Sequence, residues 1–561
     1  MHQAPEKSRF AGAALGQIIG FNRYMVRCGV VILCAAAAVG CSPRTGSRDN
    51  EPTLGAAPDA VTASRTLYRG LPGEPRTLDP QLADDTYSFQ ILGDLFEGLT
   101  AEDRHGQVVP GVASSWTVNT AGTIYTFQLR PNAKWSDGKQ TVAAEFVQGL
   151  RRAVDPKTAS GSADLLAIIK GATDITAGRK RVDDLGVAAI GESSVQIELE
   201  HPAPFILQIL SRPIATPMHL STGQGSKGIV TNGPYILVSR IPNSLIQLAR
   251  NPYYWDSANV AIAEVRYVNA ESEATELREY IAGQVDLTFT IPMPDLSRIS
   301  QQYGSEVQTA PILGTLYLAL NLSDPQMRNS RDLRQALSMA VDREAIAQHV
   351  MMGVTPAFAL VAEGIHGYTS PEYEWSKWSR EHQLTYAKSL FERAGYSAKK
   401  ILHLRLYFNR DEGIQRIMVA VAGSWKQNLG VESELISDEF RVFLAGRKDR
   451  NRWDVARLGW NADYDDPASF LDVFAHDNGQ NDSGYESSAF NNLIDKARVE
   501  PQEENRSILL RQSEQVLLAD YPIIPVYFYK ARRLVKPYLG GAEITPMNRT
   551  YSKHLFWKSA S

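Results

Sequence analysis

The chain has 561 residues, of which 43% are hydrophobic and 21% charged, the composition of an ordinary folded protein. Its length exceeds what a single hydrophobic core supports, so we expect two or three domains. The formal net charge of −4 lacks the basic surplus that nucleic-acid-binding proteins carry, and we therefore expect no nucleic-acid partner.

The amino-terminal region has the layout of a secretory signal. Arg27 precedes an apolar run, Val30 to Val39, that is too short to span a bilayer and leads through small residues to Cys41. Residues 1–40 are therefore predicted to be a signal peptide, with Met25 as an alternative start. All three cysteines fall within the first 41 residues, so a mature chain beginning at Cys41 has no disulfide.

The tetrapeptide that ends at Cys41, "AVGC", resembles a bacterial lipobox, in which the cysteine carries a lipid. A plain signal peptide with an incidental cysteine is the alternative. The following residues up to 65 are small, polar and proline-bearing, which is typical of a flexible tether. Residues 41–65 are thus predicted to join a membrane anchor to a folded body in the periplasm or cell envelope.

The body alternates strand patterns with helix patterns. Apolar and polar residues alternate, as in half-buried strands, in segments 124–130, 194–200, 264–270 and 285–291. Helical periodicity predicts three helices, with apolar faces at Leu384 to Ala394 before Gly395, at Ile414 to Trp425, and at Ile508, Leu509 and Val516 within 502–519. A buried strand is predicted in 521–529. The class is mixed α and β, in more than one lobe.

No catalytic motif is found in the sequence. Segment 223–228, "GQGSKG", lacks the spacing of a phosphate loop, and the GxSxG, HExxH and CxxC patterns do not occur. The adjacent pairs Asp84/Asp85 and Asp465/Asp466 are poor acid/base couples, because neighbouring strand residues point to opposite faces. We therefore expect no enzymatic activity, metal or cofactor.

Several motifs, in the same order, resemble the substrate-binding proteins of oligopeptide and dipeptide ABC transporters, the bacterial extracellular solute-binding protein family 5. The likeness runs from about residue 67 to the end. Its most specific motifs are "LRPNAKWSDG" and "NGPY". The matching segments are 73–99, 110–160, 231–235, 251–256, 334–346, 459–467 ("GWNADYDDP") and 532–537.

The resemblance implies an α/β, three-lobed periplasmic binding protein fold (class C, type II-like) that closes on its ligand by a hinge motion. Mapped by motif, lobe I comprises residues 66–96, 216–313 and 532–561. Lobe II comprises residues 97–215, and lobe III comprises residues 314–531. In the family the peptide lies extended between lobes I and III.

The resemblance also assigns the two charged ends of a bound peptide. Enclosing a peptide removes water from both ends, so each end needs a fixed counter-charge. In the family the aspartate of "ADY" pairs with the peptide α-ammonium, and Asp463 matches it; the alternative is a turn residue that bonds its own backbone. Arg447 and Arg457 match two family arginines, whose planar fork suits the peptide carboxylate. For these arginines an exposed position is the alternative.

The remaining site residues follow from the same resemblance. The peptide backbone would pair like an added strand with Asp84, Asp85 and Thr86 of lobe I and with Gly459 to Asn461 of lobe III. For Asp84 a solvent-facing position is the alternative. Trp460 and Phe440 match aromatic pocket walls, and Tyr317 matches a tyrosine near the ligand. For each aromatic residue, a place in the core is the alternative.

The chain departs from the family at informative positions. A lysine and a histidine that serve distant carboxylates in relatives align with the uncharged Met351 and Ile414, which favours short peptides. A family tyrosine is replaced at Gly161 and Ser162. A cysteine pair of some relatives is absent from both Gly314 and Asn461, which is internally consistent.

The predicted function is that of a monomeric lipoprotein that captures short peptides and delivers them to an ABC permease. The first alternative keeps the fold and changes the solute to a murein peptide, a nickel chelate or an opine. An exported hydrolase is the second alternative, and a chaperone or adhesin is the third.

Overall fold

The structure is a computed structural model that describes residues 65–220, 228–476 and 478–559. The predicted signal peptide, the lipidated Cys41 and almost all of the tether lie outside the described residues. The glycine-rich segment 223–228 also lies outside them, apart from Gly228.

Eighteen strands are found in the part of the chain that the structure describes. In chain order they are β1 (Leu67–Leu71), β2 (Thr100–Glu102), β3 (Val108–Pro110), β4 (Ala113–Val118), β5 (Ile124–Leu129), β6 (Val187–Ile190), β7 (Ser194–Glu198), β8 (Tyr235–Ile241), β9 (Leu245–Arg250), β10 (Glu264–Asn269), β11 (Val307–Leu320), β12 (Thr355–Pro356), β13 (His403–Asn409), β14 (Glu432–Asp438), β15 (Val455–Asn461), β16 (Ile523–Leu534), β17 (Leu539–Gly540) and β18 (Phe556–Trp557).

Fifteen α-helices lie between these strands in the same described ranges. They are α1 (Thr86–Leu95), α2 (Ala143–Val154), α3 (Ala172–Thr176), α4 (Ile206–Ile209), α5 (Glu273–Ile281), α6 (Leu296–Gln302), α7 (Pro325–Asn329), α8 (Arg331–Ala340), α9 (Arg343–Ala345), α10 (Arg380–Arg393), α11 (Glu412–Leu429), α12 (Phe440–Gly446), α13 (Ala468–Leu471), α14 (Ser488–Val499) and α15 (Glu503–Asp520).

Three main sheets, each with its own hydrophobic core, define three lobes. Lobe I contains the sheet β1-β10-β9-β8, and lobe II contains the sheet β4-β5-β7-β6. Lobe III contains the six-stranded sheet β12-β16-β11-β15-β13-β14 and the largest core. The expected three-lobed α/β architecture is therefore confirmed.

Two long antiparallel strands connect lobe I to lobe III without a loop. β11 and β16 pair from Val307 opposite Leu534 to Ala319 opposite Ile523, with register shifts between Pro311 and Tyr317. The Val307 end packs beside lobe I, whereas Leu316 to Leu320 lie in the core of lobe III. Irregular pairing weakens a ladder locally, so the segment around the register shifts is where these connecting strands can bend.

A carboxy-terminal segment completes the core of lobe I and neutralises its buried charges. The Arg69 guanidinium donates to Ser552 Oγ at 2.7 Å, and the backbone N–H of Ser552 donates to the Asp94 carboxylate at 2.8 Å. Lys553 lies 3.0 Å from the buried carboxylate of Glu97. Buried charges are tolerated only when they are paired and hydrogen-bonded, so this segment is integral to lobe I.

Most of the predicted elements are confirmed, but one predicted strand is wrong. Residues 285–291 form only isolated bridges at Leu287, to Arg69 and to Val535. Side chains supplement a few backbone hydrogen bonds here: the Asp286 carboxylate accepts from the Tyr68 backbone and the Tyr538 hydroxyl, and the Thr288 hydroxyl accepts from the Leu534 backbone. The alternating pattern therefore corresponds to an extended segment that passes between Arg69 and Val535 without forming a regular strand.

The apolar face predicted for the helix within 502–519 is only partly correct. Leu509 and Val516 are half-buried against the lobe III core, but Ile508 is 52% exposed, and the fully buried face of α15 includes Leu510 and Leu517. That face also carries Arg506 and Glu514, two charged residues that are buried because each has specific partners. A hydrophobicity pattern assigns charged residues to the surface. The buried face that it predicts for this helix is therefore displaced around the helix axis from the observed one.

Candidate functional site

Asp463 lies in the loop that follows β15, with its backbone fixed and, among the described residues, its carboxylate without a hydrogen-bond partner. Its N–H donates to Ser469 Oγ at 2.8 Å, and its carbonyl accepts from the Arg212 guanidinium. Among residues 65–220, 228–476 and 478–559, no donor makes a hydrogen bond or ion pair with its carboxylate. The turn in which a side chain bonds its own backbone is therefore not observed.

The electrostatic surroundings of Asp463 combine burial with cationic neighbours. Burial raises the pKa of the Asp463 carboxyl, while the positive charges of Arg212 and Arg549 oppose that rise and Asp164 adds to it. Arg549 is itself paired with Glu102. The carboxyl group is thus partly dehydrated, and a cation placed against it would restore the interactions that burial removes.

The other two acidic residues of the loop have structural partners. Asp465 accepts the His366 backbone N–H at 3.2 Å. Asp466 receives two hydrogen bonds from Arg506, at 2.6 and 2.9 Å, and accepts the backbone N–H of Ala468 at 2.9 Å. Of these three, only Asp463 therefore has a carboxylate without a hydrogen bond or ion pair among the described residues.

The same loop is held against lobe II. The Tyr464 ring stacks on Phe205, with centroids 4.1 Å apart and planes 6° apart. The Gln208 amide donates to the carbonyl of Asp465 at 3.1 Å and accepts the N–H of the same residue. These contacts fix the position of Asp463 at the seam between lobes II and III.

The strand that leads to this loop has one unpaired edge. β15 pairs with β11 along its whole length, from Val455 to Asn461. On its other side, within the described residues, β13 pairs only with Val455 and Ala456. From Arg457 to Asn461 the backbone therefore offers N–H and C=O groups to an incoming extended chain.

Glycine is required on this strand because an aromatic ring lies against it. A Cβ atom at Gly459 would overlap the hydroxyl of Tyr529, and one at Gly314 on the paired strand would overlap the ring of the same tyrosine. Arg457 shares this face of β15, since successive strand residues alternate between faces. This face therefore presents a tyrosine and a guanidinium, and the open backbone lies along the adjacent edge of the strand.

Arg457 has no acidic partner in the described part of the chain. Its Nη1 donates to the Asn409 side chain at 3.3 Å, and its buried Nε reaches no acceptor there. Trp460, on the opposite face, likewise has a buried indole N–H without an acceptor among the described residues. An incompletely satisfied guanidinium is a site where an anion can bind.

Arg447, the second predicted carboxylate ligand, is already engaged. Its Nε lies 3.0 Å from the Asp482 carboxylate, which is almost fully buried, and Lys448 lies 2.7 Å from the same carboxylate. The charge of Arg447 therefore balances Asp482 in this conformation.

The structure does not bring the other predicted residues to the β15 edge. Asp84 is exposed and forms an ion pair with Arg76 at 2.8 Å. Asp85 caps α1 by accepting the Ser88 backbone N–H at 2.9 Å, and Thr86 is exposed as the first residue of that helix.

Two predicted aromatic residues lie in contrasting surroundings. Tyr317 is 3% exposed, with its ring 6.0 Å from that of Phe474 in the lobe III core. Phe440 is 50% exposed at the start of α12. The residues that the structure does bring together are Arg457, Gly459, Trp460, Asn461 and Asp463, all from β15 and its loop.

Sequence reasoning missed Arg212, Arg549 and Tyr529, which surround this group. They come from segments far from 457–463 along the chain, and no local pattern marks them. Over the described ranges, no cluster of histidine, cysteine and acidic residues could hold a metal ion. None of the helices in those ranges has both the length and the apolar character that crossing a bilayer requires.

The protein has three lobes, continuous strands that join two of them, and a charged site at a seam between lobes. These features are typical of solute-binding proteins that close around a ligand. Residues 107–482 match the family model that describes the middle region of the bacterial extracellular solute-binding proteins, family 5. The chain belongs to this family, whose members are solute-binding proteins.

Known relatives cover almost the whole chain. It is 37% identical over 504 residues to the periplasmic oligopeptide-binding protein OppA of Salmonella typhimurium, covering 88% of this chain and 92% of OppA. It is 33% identical to the periplasmic murein peptide-binding protein MppA of Escherichia coli, covering 88% and 94% of the two chains. The structure matches an unliganded open form of MppA with a TM-score of 0.79 and 33% identity, covering 88% of this chain and 97% of that one.

Proposed function

We propose that this protein captures short peptides between its lobes and delivers them to an ABC permease, held at the membrane by a lipid on Cys41. The observation that carries the proposal is the edge of β15 from Arg457 to Asn461, which is unpaired among the described residues. Within the same residues, Arg457 has no acidic partner and the Asp463 carboxylate has no hydrogen bond or ion pair. A free peptide has the matching features: an extended backbone, an ammonium group and a carboxylate.

The dimensions of this edge agree with a short ligand. Four strand steps separate Arg457 from Asn461, which is roughly 13 Å at the usual rise of a strand. Extended peptides have the same rise, so this edge accommodates about five residues. Backbone pairing takes no account of side-chain identity, and we therefore expect the protein to accept many sequences.

Delivery to the permease requires that the permease distinguish loaded from empty protein. A ligand that contacts both sides of the cleft stabilises the closed form, because only that form offers both sets of contacts at once. The bendable connection through β11 and β16 provides the two conformations. The relatives OppA and MppA are periplasmic by name, which supports the same location here.

Native mass spectrometry of the protein purified from cells tests the proposed ligand. We expect co-purified masses that form a ladder of di- to pentapeptides. A single non-peptide mass would contradict the proposal and favour another small solute. Processing is tested on the same sample, since lipidation predicts a mature chain that begins at Cys41 and carries acyl groups.

Peptide affinity is expected to fall as the pH is lowered towards the raised pKa of Asp463. The α-ammonium binds the ionised carboxylate, and burial raises the pKa of that group, so the binding form is lost at a higher pH than for an exposed aspartate. Calorimetry of one alanine-rich peptide between pH 7 and pH 4.5 measures the effect. An Asp463→Asn variant should lose this pH dependence, and an equally steep decline in the variant would contradict the assignment.

A further inference from the structure

A cation, Arg212, lies directly beside Asp463. It follows α4 in lobe II, and its Nη1 donates to the Asp463 carbonyl. Its Cζ lies 5.4 Å from the centroid of the Phe89 ring on α1. Arg212 therefore reaches lobe III at Asp463 and lobe I at Phe89, next to the carboxylate that we assign to the peptide ammonium.

The Arg212 guanidinium has no acidic partner in the described part of the chain. The Asp463 carbonyl is its one hydrogen-bond acceptor there, and no carboxylate forms an ion pair with it. Arg212 is half-buried. Burial lowers the pKa of its guanidinium to about 10, and the positive charge of Arg549 adds to that fall, while Asp463 opposes it. A partly buried cation with one neutral acceptor is costly, and an anion that reaches its remaining N–H groups would remove that cost.

Holding the loop in place does not require this charge. Gln208 lies one helical turn before Arg212 and donates to the Asp465 carbonyl at 3.1 Å through a neutral amide. A neutral donor at position 212 could hold the Asp463 carbonyl in the same way. The contact with the loop therefore accounts for a hydrogen-bond donor at this position, but not for its positive charge.

Binding of a peptide ammonium changes the balance of charge around Arg212. Arg549 is neutralised by Glu102, whose side chain is 3% exposed. Asp164 also acts on Asp463, but it is exposed, so solvent screens its charge. Asp463 is the carboxylate that supports the charge of Arg212 most. An ammonium that binds Asp463 competes for that carboxylate, whereas a ligand that also brings a carboxylate of its own restores the balance.

We propose that Arg212 selects peptides whose first residue carries a carboxylate close to its free amine. This carboxylate is either the side chain of an amino-terminal aspartate or glutamate, or the α-carboxylate of a glutamate that is joined through its side chain. The planar fork of arginine suits both. The inference rests on the proposed function and refines it: backbone pairing along β15 leaves later residues unselected, and Arg212 adds a preference at the first.

Calorimetry of the full chain with four tripeptides tests the inference. The set contains Ala-Ala-Ala, Gln-Ala-Ala, Glu-Ala-Ala and the isomer of the last in which glutamate is joined through its γ-carboxyl group. We expect one or both glutamate peptides to bind at least tenfold more tightly than Gln-Ala-Ala, and the tighter isomer identifies which carboxylate Arg212 receives. In Arg212→Gln this advantage should disappear through weaker binding of the glutamate peptide, while affinity for Gln-Ala-Ala stays within threefold or rises.

Two further variants separate the charge of Arg212 from the position of the loop. Arg212→Lys should retain part of the advantage. Gln208→Ala removes a contact with the same loop without changing any charge, so any loss should be equal for Glu-Ala-Ala and Gln-Ala-Ala. If the unmodified protein binds both glutamate peptides no more tightly than Gln-Ala-Ala, the inference is overturned, and equal losses for all peptides in Arg212→Gln have the same meaning. Failure of all four peptides to bind would contradict the proposed function itself.

Discussion

An Asp463→Asn variant is expected to bind peptides at least tenfold more weakly while it keeps its fold. Removing one partner of a buried, hydrogen-bonded charge pair costs about 2–5 kcal/mol, and asparagine removes the charge without changing the shape. The Asp463 carboxylate has no hydrogen bond within the described ranges, so its loss should leave the unliganded protein as stable as before. Isothermal calorimetry measures the affinity, and a thermal melt measures the stability.

Asp465→Asn is the matched control for this variant. Asp465 lies two residues away in the same loop, but its carboxylate accepts the His366 backbone N–H. Its replacement should therefore leave peptide affinity within a fewfold of the original value. Unchanged affinity in the Asp463 variant, or equal losses in both variants, would refute the assignment of Asp463 to the peptide ammonium.

Asp466→Asn is expected to destabilise the protein by about 3–5 kcal/mol, the usual result of breaking a buried ion pair. Asp466 and Arg506 are both buried and joined by hydrogen bonds of 2.6 and 2.9 Å. The variant leaves the Arg506 guanidinium buried without its counter-charge. Urea denaturation followed by tryptophan fluorescence measures the change in the free energy of unfolding.

The exposed pair of Asp84 and Arg76 supplies the comparison. Its ion pair is 2.8 Å long, but both side chains are in contact with solvent. Exposed ion pairs contribute about 0–1 kcal/mol, so Asp84→Asn should hardly change the unfolding midpoint. Similar effects of the two substitutions would contradict the structural role given to Asp466.

The sequence was sufficient for much of the secondary structure, because short-range patterns decide it. The alternating segments 124–130 and 194–200 became β5 and β7, and glycines follow the ends of α10 and α11 in left-handed conformations. The predictions fail where contacts with residues distant in the sequence outweigh the local hydrophobicity pattern. Buried Arg506 and Glu514 set the inner face of α15, and neither position appears apolar in the sequence.

The site was predictable only where its residues are contiguous. One segment, 457–463, contains Arg457, Gly459 and Asp463, and the resemblance to a known family predicted all three as candidate site residues. Family resemblance could not show that Arg447 is already neutralised by Asp482, since that pairing depends on the three-dimensional approach of two loops. It also could not identify Arg212 and Arg549, whose charges act on Asp463 from segments far away along the chain.

Lobe I cannot fold completely until the carboxy-terminal segment of the polypeptide has been synthesised. The hydrogen bond from Arg69 to Ser552 joins residues that are 483 positions apart, and the one from Ser552 to Asp94 spans 458. The buried apolar core of lobe II comes from residues 99–215 and can form early in synthesis, although Glu102 of the same lobe later pairs with Arg549. Contacts of such long range form slowly, so docking of the final segment should limit the rate of maturation.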